Sequence, residues 1–273
     1  MMIVVTGATG SIGRALIDTL RGEEVVAVVR RPVDLGCEYV LGDFDRPETI
    51  GKVLSAGDRL FLNSSLWPGV VTAQQAVIDL AREAGVAQVV SVSVRDARPG
   101  APLGGGAHGE IDAHLRRSGL PWSILEPTGF MQNLLADVRE GRFYGAYGSA
   151  KVNYIDTRDI ADVAAALLTR PVGADATYVL TGPESPTHAE IAAAITAALG
   201  REVSYVDLPI PEMAAHAERR GLPGPVALEF ATLMAEMGDA RWSSLTSTVE
   251  EVTGRPPRTL ATFLADHATA FHP

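Results

Sequence analysis

The first half of the chain alternates short, unbroken apolar runs with amphipathic stretches. The runs are Ile3–Thr6, Val25–Arg30, Tyr39–Leu41, Arg59–Asn63, Gln88–Ser93 and Trp122–Glu126. Each is β-branched or aliphatic with no polar alternation, the pattern of strands buried on both faces of a parallel sheet. Between them the spacing predicts helices over Ile12–Leu20, Glu48–Leu54, Val70–Glu83 and Gly109–Ser118. Pro47 suits a helix start, and Gly85 and Gly119 suit C-terminal caps. This alternation predicts an α/β fold, a Rossmann-type doubly wound parallel sheet.

After about Gly141 the rhythm changes. Val152–Asp156, Thr177–Leu180 and Val203–Val206 predict strands, and His188–Leu199 predicts a helix. From Pro209 onward the chain reads as mainly helical, with breaks at 221–225 (GLPGP) and 254–257 (GRPP). The expected organisation is a Rossmann domain over 1–150. Residues 151–273 are then a mixed segment that completes the sheet and forms a smaller, mostly helical substrate-binding lobe. The stretch 99–106 (PGAPLGGG) reads equally as a surface loop or as a mobile flap near a site.

The chemistry begins in the first turn. Gly7-x-x-Gly10-x-x-Gly13 follows the first strand and opens the first helix, the context in which this spacing cradles a dinucleotide pyrophosphate. Thr9, Ser11 and Ile12 lie along that cradle, where the helix N-terminus offers unpaired N–H groups. The second strand ends in Arg30-Arg31 instead of an acidic residue. A guanidinium there suits a 2′-phosphate, so NADPH is the expected cofactor and NADH the alternative. Asp43 and Phe44 end the third strand, placed to flank the adenine, and Asn63, Ser64 and Ser65 end the fourth, near the central ribose.

Composition narrows the partners. A net charge of -10 argues against general affinity for nucleic acid and against attraction to an anionic membrane surface. The single cysteine, Cys37, excludes an internal disulfide and a cysteine-based metal cluster, and no metal is expected. The N-terminal MMIVVTGATG has no basic segment before a long apolar stretch, so a cytoplasmic monomer or homodimer is expected.

These motifs together resemble the NmrA-like branch of the atypical short-chain dehydrogenases/reductases, including its quinone oxidoreductases. The resemblance extends beyond TGATGSIG to VVAVVRRP, LGDFDRPETI, HGEIDAHLRRSGLPWSILEPTGFMQNLL, YIDTRDIADVAAALLT, TYVLTGPESPTHAEIAAAI and VTGRPPRTLATFLADHATAF. It implies NAD(P)H binding and a substrate cleft. It also implies cofactor contacts from Gly7, Gly10, Gly13, Arg30, Asp43, Phe44 and the stretch from Asn63 to Ser65. Pro127, Thr128 and Phe130 are placed near the nicotinamide, with Asn133 on the substrate side. Where the family carries an arginine before that proline, this chain has Glu126.

Short-chain dehydrogenases use Tyr-x-x-x-Lys, the lysine lowering the tyrosine's pKa for proton donation. Tyr147-Gly-Ser-Ala-Lys151 spells the motif but falls after the sixth strand, with a poor helix former inside it. The expected place lies near His108–Asp112, where His108 is the candidate proton donor. Without a tyrosine, an already electrophilic acceptor is favoured, a quinone or polycyclic aromatic ketone held against the nicotinamide. Trp67, Phe130, Met131 and Leu134 read either as an apolar substrate wall or as core. By resemblance to relatives in aromatic polyketide pathways, the hydroquinone would react with dioxygen, giving hydroxylation in antibiotic biosynthesis without flavin or metal. The alternative from another class is a non-catalytic redox sensor with a partner surface at Phe230–Met237.

Overall fold

The computed structural model describes residues 1–271. In chain order it contains β1 (Ile3–Val5), α1 (Ser11–Thr19), β2 (Val25–Val29), β3 (Glu38–Leu41), α2 (Glu48–Gly51), β4 (Arg59–Leu62), α3 (Val70–Ala84), β5 (Gln88–Val92), α4 (Gly104–Arg117) and β6 (Trp122–Pro127). There follow β7 (Gly129–Phe130), α5 (Asn133–Asp137), β8 (Arg142–Gly145), β9 (Tyr154–Ile155), α6 (Thr157–Thr169), β10 (Ala176–Leu180), α7 (His188–Leu199) and β11 (Ser204–Asp207). The C-terminal part holds α8 (Ile210–Arg219), α9 (Gly224–Glu236), α10 (Ala240–Ser243), α11 (Thr248–Thr253) and α12 (Leu260–His267). Among the described residues no helix is long and apolar enough to cross a membrane.

Two compact units share this chain. The first comprises Met1–Pro127, Thr157–Leu180 and Thr248–Arg255. Its seven parallel strands run in the order β10-β6-β5-β4-β1-β2-β3. The order reverses between β1 and β4, the switch point at which doubly wound sheets bind ligands beyond the strand carboxyl ends. The strands β1, β2, β4 and β5 are wholly buried, as their unbroken apolar runs predict. The edge strand β3 differs, with Glu38, Tyr39 and Leu41 exposed, because it has a neighbour on one side only. Val4, Leu60, Leu62, Val89 and Ile124 from the sheet pack with Val77, Ile78 and Ala81 of α3 and Ile111 and Leu115 of α4. A separate layer is formed by α1 against α6.

The helix α4 starts at Gly104, one turn earlier than the spacing predicts, so His108 lies inside the helix and not at its start. Glycines 104–106 disfavour helix on propensity alone. Tertiary contact decides instead: Gly109 lets the helix backbone run directly against that of Arg98, where a Cβ would overlap.

The second unit comprises Thr128–Asp156, Thr181–Ser247 and the residues from Pro256 onward. It contains two short parallel strand pairs, β7 with β9 and β8 with β11. Met131, Leu134, Phe143, Ile191, Ile195, Phe263 and Leu264 form one core. Met213, Ala214, Ala231 and Met234 form another within the α8–α9 hairpin, so Ala231 and Met234 of the apolar stretch Phe230–Met237 pack inward with Phe230 against them, while Ala235 and Glu236 are exposed.

Candidate active site

The strand β1 ends in Thr6, whose buried hydroxyl lies 3.0 Å from the carbonyls of Phe61 and Asn63 and accepts the Asn63 N–H at 2.9 Å. This fastens the end of β1 to the end of β4. Gly7 then turns with a φ of 62°, and a Cβ on it would lie 2.7 Å from the Asn63 carbonyl. Gly10 donates its N–H to the Gly7 carbonyl at 3.0 Å, closing the turn. A Cβ on Gly13 would run into the Gly7 carbonyl and Ala8, so the first turn of α1 rests directly on the glycine loop. No side chain caps α1 and no acidic residue stands in its first turn. Thr9, Gly10 and Ser11 are exposed, whereas Ile12 and Gly13 are buried. Unpaired N–H groups and the positive helix end therefore face solvent, as a pyrophosphate requires. These residues fit a dinucleotide.

The other cofactor candidates stand on the same carboxyl edge of the sheet. Arg30 and Arg31 are exposed immediately beyond β2. Asp43 is set by its own loop, its N–H donating to Thr49 Oγ1 at 2.9 Å and its carboxylate accepting the Asp45 N–H at 3.1 Å. Phe44 packs against Trp67, ring centroids 5.7 Å apart, so the structure brings these two candidates together. Beyond β4, Ser64 Oγ accepts from Gln74 Nε2 at 2.7 Å, and Ser65 is exposed. Gln74 is buried on α3 with its Oε1 lacking a partner; the apolar periodicity of α3 hid it from sequence reading.

At the ends of β5 and β6 lies a buried polar group that sequence reading missed. Ser93 Oγ and Asp112 Oδ2 are 2.6 Å apart, and both residues are buried. The second Asp112 oxygen, Oδ1, is buried without a partner. Burial pushes the Asp112 carboxyl up to about 6, against the weaker opposing effects of the Ser93 bond and the Arg116 charge. Glu126 is raised as well, by burial and by the Asp112 charge, while the Asp96 N–H opposes the rise. His108 shares the inward face of α4 with Asp112, one turn away, and burial lowers its pKa so that the imidazole is neutral. Pro127 closes β6, its carbonyl accepting the Arg95 N–H at 3.1 Å. The available signal was the stripe His108, Ile111, Asp112, Leu115, in which polar residues interrupt a helical core face.

The remaining candidates belong to the second unit. Thr128 is buried and donates to Asn153 Oδ1 at 2.7 Å. Asn153 Oδ1 also accepts the Gly182 N–H at 3.0 Å, and its Nδ2 donates to the Glu184 carbonyl at 2.7 Å. Phe130 is half-buried opposite Ile155, and Asn133 is exposed at the start of α5. Tyr147 follows β8 outside any helix, its ring stacked on His188 at 3.7 Å. Burial pushes its hydroxyl up to about 12, and Lys151 is exposed. Tyr147 therefore has neither the helix nor the lowered acidity of a short-chain dehydrogenase tyrosine.

The family model described as NAD(P)H-binding matches residues 7–171. The chain belongs to this NAD(P)H-binding family. It is 35% identical to an NAD(P)H azoreductase of Xenophilus azovorans, with 99% of each chain covered. It is 33% identical to a (4-alkanoyl-5-oxo-2,5-dihydrofuran-3-yl)methyl phosphate reductase of Streptomyces griseus, over all of both chains. A crystal structure of an NADPH-dependent quinone oxidoreductase of Escherichia coli complexed with NADPH superposes with a TM-score of 0.83 at 26% identity, covering 97% of this chain and 99% of that one.

Membership fixes the cofactor class, NAD(P)H. The matched span contains the glycine cradle, both arginines beyond β2 and the Ser93–Asp112 pair.

Proposed function

We propose that this protein is an NADPH-preferring reductase of electrophilic conjugated acceptors, such as a quinone, a polycyclic aromatic ketone or an azo compound. The observation that carries the reading is the composition of the inward face of α4. It offers His108 and Asp112, and the helix contains no tyrosine. An acceptor that becomes aromatic or loses a weak π bond on reduction needs positioning more than a strongly activated donor. The azoreductase and the quinone oxidoreductase are named for such acceptors.

Bound NADPH supplies a hydride. The chain holds the pyrophosphate on Gly7, Thr9, Gly10, Ser11, Ile12 and Gly13, with Arg30 and Arg31 against the 2′-phosphate. Asp43, Phe44, Asn63, Ser64 and Ser65 would line the adenosine side, and Pro127, at the end of β6, the nicotinamide side. Neutral His108 would polarise the acceptor's oxygen or nitrogen, whereas Trp67, packed on Phe44, stands with the adenosine side.

The test is NADPH oxidation with a naphthoquinone and with an azo dye, each in air and under argon, with dissolved oxygen followed. Oxidation under argon supports the reductase. Oxygen uptake with a hydroxylated product extends it to a monooxygenase. Tight cofactor binding with no oxidation by any acceptor refutes the reductase and leaves the sensor.

A further inference from the structure

The buried carboxyl of Asp112 has a place in that reaction. It occupies α4 opposite the end of β5 and is 0% exposed. One oxygen contacts Ser93 Oγ at 2.6 Å and the other has no partner. An ionised carboxylate in such a site leaves a full charge largely unsolvated, whereas a protonated one asks for far less. The groups around it do not reverse this. Arg116, one turn further along α4, is exposed, bonded to Thr177 Oγ1 at 3.2 Å and lying over the Trp122 ring. Glu126 stands across the ladder from Ser93, since Ser91 pairs with Ile124 and Val92 with Leu125. It adds a second acidic group where an arginine would have compensated the first. His108, from the same helix face, is held neutral by burial. Asp96, left-handed at φ 60°, donates its N–H to Glu126 and adds a further negative charge nearby.

We propose that Asp112 holds a proton at the carboxyl edge of the sheet, beside the second acidic group Glu126, and that Ser93 passes it to the acceptor during reduction. The inference rests on the reductase reading above. The acceptor gains a hydride from bound NADPH and one proton. That proton leaves Ser93 Oγ as the Asp112 Oδ2 proton moves onto Oγ, and solvent restores the carboxyl. Asp112 acts through Ser93 and is a positioning residue. Its raised affinity for a proton, near pH 6, agrees with this task.

Two measurements test it on the full chain. The first is turnover of an azo dye with NADPH from about pH 5 to 8, the span in which such a carboxyl empties. Wild-type kcat should fall as pH rises through about 6. In Asp112→Asn, kcat should drop about a hundredfold, the range of a lost acid, and lose that limb while KM for NADPH stays within about twofold. In Glu126→Gln the limb should move to lower pH, because the neighbouring charge that keeps the proton on Asp112 is gone. Glu126→Arg should move it further. A purely structural Asp112 would leave the limb in place in both Glu126 variants.

The second measurement needs no turnover. The carboxyl carbons of 13C-labelled protein are titrated by NMR, with the Asp112 signal assigned through Asp112→Asn. A midpoint well above the ordinary aspartate range that falls in Glu126→Gln supports the proton held on Asp112. An ordinary midpoint in a chain that turns over overturns the role of Asp112 and leaves the reductase standing. A chain that reduces no acceptor overturns both.

Discussion

Arg30 projects from the sheet one residue beyond β2 and is exposed, with Arg31 beside it. A guanidinium so placed gains a charge-assisted contact only when a 2′-phosphate arrives, and such contacts contribute about 1.5–3 kcal/mol. Arg30→Ala should therefore weaken NADPH binding roughly ten- to a hundredfold, with NADH affinity unchanged within about twofold. Fluorescence titration with both cofactors reads this directly, and equal losses for the two would make Arg30 a solvated bystander. This part of the site was legible because its meaning is local. A glycine at a strand–helix junction and an arginine at a strand exit can be placed from a dozen neighbouring residues. Ser93 and Asp112 were not legible in that way. Nineteen residues separate them, and only the packing of α4 on the sheet makes their contact.

At the scale of elements, α4 reverses a usual rule. Replacing a glycine inside a helix by alanine ordinarily stabilises it by up to about 1 kcal/mol. Gly109 is such a position, yet a methyl there would overlap the backbone of Arg98. Gly109→Ala should destabilise the protein by at least about 1–3 kcal/mol, measured as a drop in the urea midpoint. A gain would show that the 94–103 segment moves aside freely. The same close approach explains why the start of α4 escaped the sequence. Glycines 104–106 carry the local signature of a loop, and the contact that makes them helical comes from outside the helix. The cap of α7 was fully local by contrast. Thr187 accepts the Glu190 N–H at 3.2 Å and the Glu190 carboxylate accepts the Thr187 N–H at 2.7 Å, a complete capping box. Thr187→Ala should cost about 1 kcal/mol, visible as a lowered Tm.

The two units carry opposite responses to acid. In the first, the folded state raises Asp112 from 3.8 to about 6, so it binds that proton more tightly than the unfolded chain does. This contribution is fully present below about pH 4 and is lost as pH rises through about 6. In the second, His188 falls from 6.5 to about 4, because its ring is buried among Tyr147, Phe143 and Tyr205 with Nδ1 unpartnered. Its contribution is fully present above pH 6.5 and is lost as pH falls through about 4. Each spans about 3 kcal/mol, so over this window the two slopes nearly cancel. The arrangement around His188 was the least legible part of the chain. Its partners come from β8, β9, β11 and the loop after β8; the apolar runs marked β9 and β11, but β8 and the meeting of the four on one ring were not marked. The cancellation can be taken apart by mutation. Relative to wild type, Asp112→Asn should lose about 2 kcal/mol more on going from pH 7 to 4.5, since the opposing Asp112 slope is gone. His188→Gln lowers stability at pH 7 through the lost stack and the lost Tyr154 bond at 2.9 Å, but it should recover about 2 kcal/mol of that deficit by pH 4.5. Urea midpoints at the two pH values supply the comparison, and parallel shifts for both variants would sink it. Should the units unfold in separate transitions, Asp112→Asn should tilt only that of the first unit and His188→Gln only that of the second, because each proton is bound entirely within its own unit.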